Sequence, residues 1–437
     1  MRWISNGRFW ASTVFVLAVC ACCGAEAVTE SKPPVVLQEY LRQAALHNAG
    51  LKAAFEEWKA ALEEIPQAQA LPDPRFTYGY FIEEVETRVG PQQQRLSITQ
   101  VFPWFGTLKA RGDAAAARAE AAQRRYEAKK LKLFHDVKDS FHEYAYLARA
   151  IEIARESLEL VRHFEQVART KYITAEAGHP DVIRAQMELA VLEDKLEALE
   201  ELRQPVVARL NAVLNRPSGL ELPWPTRESY QEVEVDRGRV FEMLRRRNPQ
   251  LQAMDFDVAS ARSRIALAKK RFYPSLGIGV DWIDTDDAAM AGIRDSGKDP
   301  VILMFSMNLP IWRRSYKAAE LQAQAQARRL SHQKKDLEND LLARAERVLY
   351  DLQDSARKVR LYGGVLTPKA EELVGASETA YAAGAVDFLD LIDAERTLLR
   401  FRLEHERAQA DYQQWLAELE MLVGSQLSSG GPLPASD

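Results

Sequence analysis

The spacing of apolar side chains divides most of the chain into long helices. The range 107–172 contains no proline, and its apolar residues recur at heptad spacing. A single helix over this range would be about 100 Å long. Its apolar positions form two stripes, which predict two helical neighbours, as for a stave in a closed tube of helices. The first stripe is Phe134, Val137, Phe141, Tyr144, Ala148, Ile151, Leu158 and Val161, and the second is Ile153, Leu160 and Val167.

A second long helix is predicted over 312–381. Its apolar residues follow the same helical period, but Gly363, Gly364 and Pro368 interrupt it and should bend or loosen the helix there. Two further helices are predicted over 181–215 and 387–427.

Two short stretches, 74–103 and 274–310, alternate with a period of two residues. In "RFTYGYF" the aromatic residues share one face and Thr and Gly share the other, and "SLGIGVDW" repeats this alternation of apolar and small or polar residues. Each stretch also holds a second apolar segment, so each is predicted to be a pair of strands. The chain then carries four strands, each with one apolar face.

Four such strands suit part of a membrane β-barrel with an apolar exterior and a polar lumen. The smallest membrane barrels use about eight strands, so a barrel built from this chain would be shared between subunits. The alternative is two soluble hairpins that cap a helical bundle. The period alone leaves both interpretations open.

The chain is built from two copies of one plan. The segment that begins at Asn48 aligns without a gap on the segment that begins at Asn248, and further along Asp181 aligns on Asp390. A proline-rich stretch joins the two copies. The predicted organisation is a first repeat, 28–215, an equatorial linker, 216–236, a second repeat, 237–427, and a flexible tail, 428–437.

The N-terminus, 1–27, has the pattern of an export signal. Arg2 and Arg8 precede an apolar segment, and a small-x-small site ends at Ala27. All three cysteines lie within these residues, so the mature chain has no disulfide framework. "VCAC" ending at Cys22 also resembles a bacterial lipobox. Lipidation at Cys22 and cleavage after Ala27 both remain open.

Composition and motifs exclude several functions. The 437 residues carry a formal charge of −5, with no basic excess to attract nucleic acid. Beyond the N-terminus there is no uncharged apolar run of about 20 residues, which argues against a helical membrane protein. No Walker A loop, nucleophile elbow or complete dinucleotide loop is present. The sequence therefore predicts no enzyme, no cofactor and no metal site.

Four segments together resemble the TolC family of bacterial outer membrane efflux proteins. They are "ITQVFPWFGTLKARGDAA", "LNAVLNRPSGLEL", "LPIWRRSYKAAELQAQ" and "YAAGAVDFLDLIDAERTL". The resemblance extends over about 37–427, and the first segment is most similar to the heavy-metal efflux branch, which includes CusC and CzcC.

The resemblance implies a mainly α fold continued by a membrane β-barrel. It implies a homotrimer in which a twelve-stranded barrel in outer membrane lipid continues as a twelve-helix tube through the periplasm. The implied partners are a periplasmic adaptor protein and an inner membrane pump of the resistance-nodulation-division type. The trimer would conduct substrates passively, and the cargo would be heavy-metal cations or drugs.

Aspartates at the start of the last long helix are the candidate site. The resemblance implies that Asp390 and Asp393 form a ring at the periplasmic constriction, where like charges attract cations. The alternative is helix capping, since acids favour a first helical turn by about 0.3–1 kcal/mol. Asp387 is interpreted as a cap.

A polar lock between the two inner turns is the second expectation from the resemblance. Tyr381 and Asp181 match its positions, whereas Val386 stands where some members have an arginine. Tyr381 could equally be a packing residue.

Two functions of different classes remain for the whole chain. One is a trimeric exit duct, and the other is a periplasmic coiled-coil scaffold or adaptor without a pore. An adaptor should carry one helical hairpin beside small β domains, whereas this chain has two repeats that each contain a strand pair. The exit duct is therefore favoured.

Overall fold

The computed structural model describes residues 37–226 and 230–427. The predicted signal segment 1–27, the lipidation candidate Cys22 and the tail 428–437 lie outside the described residues.

The described part of the first repeat, 37–215, holds five helices and two strands. Its elements are α1 (Leu37–His47), α2 (Ala49–Gln69), β1 (Arg75–Thr87), β2 (Gly90–Phe102), α3 (Thr107–Ile173), α4 (His179–Glu201) and α5 (Arg203–Val213). The heptad pattern correctly predicts α3 as one unbroken helix of 67 residues. The helix predicted over 181–215 is instead two helices that meet at Leu202. Pro205 accounts for the break, because its ring cannot continue the hydrogen-bond ladder from α4.

The second repeat follows the same order. Its elements are α6 (Arg237–Arg247), α7 (Pro249–Lys270), β3 (Leu276–Thr285), β4 (Val301–Met307), α8 (Arg313–Leu361), α9 (Thr367–Ala382) and α10 (Phe388–Val423). The prediction of one helix over 312–381 needs correction, because a π-helical turn, Tyr362–Leu366, separates α8 from α9. This turn contains Gly363 and Gly364 and precedes Pro368, so the expected loosening is confirmed.

The four strands form one antiparallel sheet in the order β1-β2-β3-β4. The pairing of β2 with β3 joins the two repeats, with Ile98 opposite Val280. Arg95 strengthens this seam by donating from Nε to Asp281 Oδ2 at 2.7 Å. Sheet formation therefore depends on both copies of the plan, although each supplies only a hairpin.

One face of the sheet is apolar and exposed. Phe76 lies opposite Ile98 and Tyr78 opposite Leu96, so these side chains share a face. Phe76, Tyr78 and Tyr80 are all exposed, and Ile82 is 94% exposed. The period-two pattern thus correctly predicts which face is apolar. None of the helices among the described residues combines the length and apolarity needed to cross a membrane.

Three apolar cores hold the helices together. One joins the C-terminal half of α3 to α4, α9 and the start of α10, with Phe164 and Leu391 near its centre. A second joins α6, α8 and the end of α10 around Leu244 and Leu419. The third joins α1, the middle of α3 and α5 around Tyr144. Helix α3 contributes to the first and third cores and helix α10 to the first and second, so these two helices connect the three cores.

Two equivalent asparagines connect helix starts to helix ends. Asn48 caps α2 by accepting from Leu51 N at 2.9 Å, and its amide donates to Val213 O at 3.0 Å. Asn248 caps α7 in the same way, and its amide donates to Leu422 O at 2.9 Å. One side chain thus satisfies backbone groups at both a helix start and a helix end.

Asn248→Ala should lower the free energy of unfolding by about 1–3 kcal/mol, because it removes the cap and leaves a buried carbonyl unpaired. Thermal unfolding of the purified protein in detergent measures this. Asn248→Ser keeps a capping oxygen but cannot reach Leu422 O, so it should recover part of the loss. An Ala variant with the wild-type midpoint would show that the connection does not contribute.

Candidate functional site

The candidate site lies at two helical turns of identical construction. The turn from α3 to α4 places Ala175 at φ 61°, and the turn from α9 to α10 places Gly384 at φ 73°. Glu176 N donates to Lys171 O at 2.8 Å, and Ala385 N donates to Ala380 O at 2.9 Å. These bonds close the helix ends in the same manner, with one left-handed residue in each turn. The two repeats therefore present the same hairpin tip twice.

The structure brings the predicted lock residues together across the two turns. Tyr381 donates from its hydroxyl to Asp181 Oδ2 at 3.4 Å. Burial, followed by the negative charge of Asp181, raises the pKa of Tyr381 to about 12. The phenol therefore stays protonated and can act as a donor at neutral pH. Arg184 Nη1 lies 3.4 Å from Asp181 Oδ1, on the same helix turn.

Tyr381 is also a packing residue. It is only 4% exposed, and its ring meets Phe388 edge-on at a centroid distance of 5.3 Å. The two interpretations left open by the sequence are therefore compatible, because the ring packs in the core while the hydroxyl reaches Asp181.

Lys171 makes a contact that the sequence analysis did not identify. Its Nζ donates to Tyr381 O at 2.6 Å and lies 5.0 Å from the centroid of the Tyr381 ring. Lys171 is in the last turn of α3, where a cation complements the helix dipole. The position of Lys171 at a predicted helix end was the sequence feature that could have indicated a role for it. Its partner Tyr381 becomes adjacent only when the two turns pack together.

The acidic side chains at the start of α10 have unequal surroundings. Asp387 is the N-cap residue, and Asp390 Oδ2 accepts from Asp387 N at 3.3 Å. Asp390 and Asp393 are both exposed and lie about 60° apart around the helix axis. Asp390 therefore makes a capping contact, and its exposed carboxylate is also accessible to an ion.

Arg396 lies beside Asp393 and pairs with the buried carboxylate of Glu188. Arg396 Nη2 contacts Glu188 Oε2 at 2.5 Å, and Arg396 Nη1 lies 3.5 Å from Asp393 Oδ1. Glu188, on α4, is 4% exposed, so the guanidinium is firmly held there. No sequence pattern connects Glu188 with Arg396, because the two residues belong to different repeats. Arg396 offsets part of the negative charge of Asp393.

Glu395 is the second acid that the sequence analysis missed. Its side chain is 0% exposed, Oε1 accepts from Ser157 Oγ, and Oε2 has no hydrogen-bond partner among the described residues. Burial raises the pKa of the Glu395 carboxyl, the bond from Ser157 opposes the shift, and the charge of Glu188 adds to it. An ionisable group is thus buried between α3 and α10, directly beside Arg396.

The residues described contain no group of three or more His, Cys, Asp or Glu side chains placed to hold a metal ion. The turns instead combine exposed carboxylates with a polar contact between repeats. That arrangement can attract cations and can hold two helical hairpins together, but it offers no nucleophile paired with a base.

Comparison with known proteins identifies the family. A family model described as "Outer membrane efflux protein" matches residues 40–216 and 240–425, which cover most of both repeats. The chain belongs to this family. Its predicted family and fold class are thereby confirmed, and it is an outer membrane efflux channel protein. The alternative of a scaffold without a pore is not supported.

Several relatives are similar over most of their length. Nodulation protein T of Rhizobium leguminosarum bv. trifolii is 22% identical over 407 residues, which cover 89% of this chain and 85% of that protein. The cobalt-zinc-cadmium resistance protein CzcC of Cupriavidus metallidurans is 22% identical over 391 residues, which cover 86% and 87%. The outer-membrane channel OprN has the same fold, with a TM-score of 0.76 at 17% identity over 90% of each chain.

Glu395→Gln should stabilise the protein at pH 8 by roughly 1–3 kcal/mol, because it removes a buried negative charge that is only partly hydrogen-bonded. The carboxyl has a folded pKa above its ordinary value of 4.5, so the folded state binds the proton more tightly and stability falls as pH rises through that interval. The gain should shrink as pH falls towards about 4.5. Thermal unfolding midpoints between pH 4.5 and pH 8 measure it.

Glu404→Gln is the matched control for this prediction, because Glu404 is exposed on the same helix. Its effect should be small at every pH. A difference between wild type and Glu395→Gln that does not vary with pH would contradict the assignment.

Proposed function

We propose that three copies of this chain form the exit duct of a tripartite efflux system. The observation that carries the proposal is the single four-stranded sheet with one exposed apolar face. In lipid, the free edges of β1 and β4 would leave backbone groups unpaired at a cost of several kcal/mol each. Pairing β4 of one subunit with β1 of the next removes every edge, and three chains supply twelve strands.

The helices would continue this barrel as a tube. Helices α2, α3, α7 and α8 adjoin the four strands directly and pack in the order α2, α3, α7, α8. Helix α3 alone is about 100 Å long, enough to project far into the periplasm from the outer membrane. The apolar sheet face would contact outer membrane lipid, and residues 1–27 would direct export.

The energy for transport would come from partner proteins, since the site contains no catalytic machinery. A periplasmic adaptor and an inner membrane pump of the resistance-nodulation-division type would deliver the substrate, and the duct would conduct it passively. The names of the relatives indicate different roles, from nodulation to cobalt-zinc-cadmium resistance and pyoverdine export. Heavy-metal cations or drugs are the proposed cargo classes, and the exposed aspartates favour cations.

The hairpin tips would form the periplasmic gate. In a trimer, two carboxylates from each chain, Asp390 and Asp393, would surround one axis. The contact between Tyr381 and Asp181, reinforced by Lys171, would hold the inner hairpin of α9 and α10 against the outer hairpin of α3 and α4. Opening would require this polar contact to break.

Gel electrophoresis of outer membrane fractions and conductance recordings together test the proposed duct. The protein from outer membrane fractions should run as a heat-sensitive trimer and should form conducting pores in planar lipid bilayers. A monomer found only in the soluble periplasmic fraction would overturn the proposal.

The double variant Asp390→Asn with Asp393→Asn tests the gate in bilayer recordings. If the carboxylates form an axial ring, cation preference should fall and block by hexamminecobalt(III) should weaken by about tenfold or more, because ring charges act together on one bound ion. Stability should change by at most about 1 kcal/mol, since Asn is itself a good capping residue.

Two single variants serve as controls for the gate. Asp387→Asn changes a carboxylate at the N-cap position and should leave the block unchanged. Arg396→Gln removes the cation beside Asp393 and should strengthen the block. Unchanged selectivity and block in the double variant, with the trimer intact, would place the constriction elsewhere.

A further inference from the structure

A cleft lies where the sheet meets the helices. It has a volume of about 360 Å³ and is bounded by the ends of α7 and β2 and the starts of α3 and α8. This volume falls within the range of small-molecule pockets. We call it the junction cleft and define it by Trp104, Thr107, Arg111, Lys270, Arg271 and Tyr273, which line it together with other residues.

The junction cleft is positively charged. Arg111, Lys270 and Arg271 line it, and no lining residue is an aspartate or glutamate. None of the three has a carboxylate partner among the described residues. Further along α3 the pattern changes, because Arg118 pairs with Glu64 at 2.8 Å and Arg125 pairs with Asp257 at 2.5 Å. The cleft therefore holds three cations whose charge no described carboxylate offsets.

The start of α3 adds to this positive potential. Thr107, the first residue of α3, lines the cleft, and the N-cap residue Gly106 has no side chain to satisfy the free backbone N–H groups. A helix start carries about half a positive charge and attracts anions. Lys270 Nζ lies beside Gly106, where an added Cβ would be 3.4 Å away. The positive charge of Lys270 and the partial positive charge of the helix start therefore lie beside the same part of the cleft.

Two aromatic rings form an ordered surface in the cleft. Trp104 and Tyr273 stack with their centroids 5.1 Å apart and their planes 11° from parallel. Lys270 Nζ lies 6.0 Å from the centroid of the Tyr273 ring. Parallel rings with a neighbouring cation provide a platform for a planar aromatic molecule that carries negative charge.

The strand register shows towards which face of the sheet the junction cleft opens. Leu276 pairs with Met307, and both belong to the apolar face of the sheet. The pairing continues for one more residue, since Asn308 N donates to Ser275 O at 3.4 Å. Side chains alternate along a strand, so Ser275 and Asn308 lie on the opposite face, with Gly277. Both line the cleft, which therefore opens towards the small and polar face.

We propose that the junction cleft binds aromatic anions within the duct. This inference rests on the proposed function for one point only, namely that the small and polar face of the sheet lines the lumen. Three chains would then place three cations each, nine in all, at one level of the conduit. The cations and the start of α3 would hold carboxylate, sulfonate or phosphate groups, while the stacked rings would hold the aromatic part.

Binding can be measured without a pore. Pyranine, a planar pyrene trisulfonate, should bind the purified trimer in detergent at low salt, as followed by fluorescence anisotropy. The double variant Lys270→Gln with Arg271→Gln should weaken this binding by about tenfold or more, since two charges per site are lost. Trp104→Leu should weaken pyranine binding but not binding of tricarballylate, a trianion without rings, followed by equilibrium dialysis.

The double variant Arg313→Gln with Arg314→Gln is the matched control. These two arginines also lack a described carboxylate partner and lie just past the sheet, but they do not line the cleft. Their removal lowers the net charge equally and should leave pyranine binding within about twofold of wild type. An equal loss in the control, or unchanged binding in the Lys270 and Arg271 variant, would overturn the proposal.

Bilayer recordings separate this inference from the proposed duct. Pyranine should reduce the conductance of wild-type pores, and the Lys270 and Arg271 variant should resist the reduction. If the pores conduct but pyranine does not change their conductance, binding at the junction cleft is refuted and the proposed duct is unaffected. Pyranine binding by a protein that forms no pores would refute the duct and leave the anion site intact, although not its place in a lumen.

Discussion

A β-sheet in lipid must pair its edge strands, and the rest of this molecule depends on that constraint. Each repeat supplies one hairpin, and the seam between β2 and β3 joins the hairpins into a four-stranded sheet. The sheet still ends in two unpaired edges, which no residue of the same chain covers among those described. In the proposed trimer, closure through neighbouring subunits would satisfy the backbone, and it would also position the helices that continue from each strand as staves of one tube.

Duplication produces two kinds of polar contact between helices, those within a repeat and those between repeats. Asn48 and Asn248 lie at the starts of α2 and α7, a helix length away from the sheet, and each connects a helix start to a helix end of the same repeat. At the turns, the contacts run between repeats, through Tyr381 with Asp181, Lys171 with Tyr381 O, and Arg396 with Glu188. Bonds within a repeat therefore lie where α2 and α7 begin, whereas contacts between repeats hold both the turns and the sheet seam of β2 with β3.

Charge is also distributed unequally along the chain. The turns present exposed carboxylates, and the junction of helices and sheet presents cations without partners. A solute entering at the turns would first meet negative potential and then positive potential near the membrane. Charges of opposite sign at different depths let a conduit attract an ion at one level and release it at the next, because no single level binds it too tightly.

The sequence by itself determined several features that depend on periodicity. Heptad spacing determined α3, alternation determined the apolar face around Phe76, and the internal repeat determined the equivalence of Asp181 and Asp390. Tertiary structure alone decided the contacts between repeats, such as Arg396 with Glu188 and Ser157 with Glu395, because partners some 200 residues apart leave no periodic signal. It also decided the junction cleft. A cavity and its unpaired charges depend on how elements that are distant in sequence pack together, and local sequence patterns do not predict that packing.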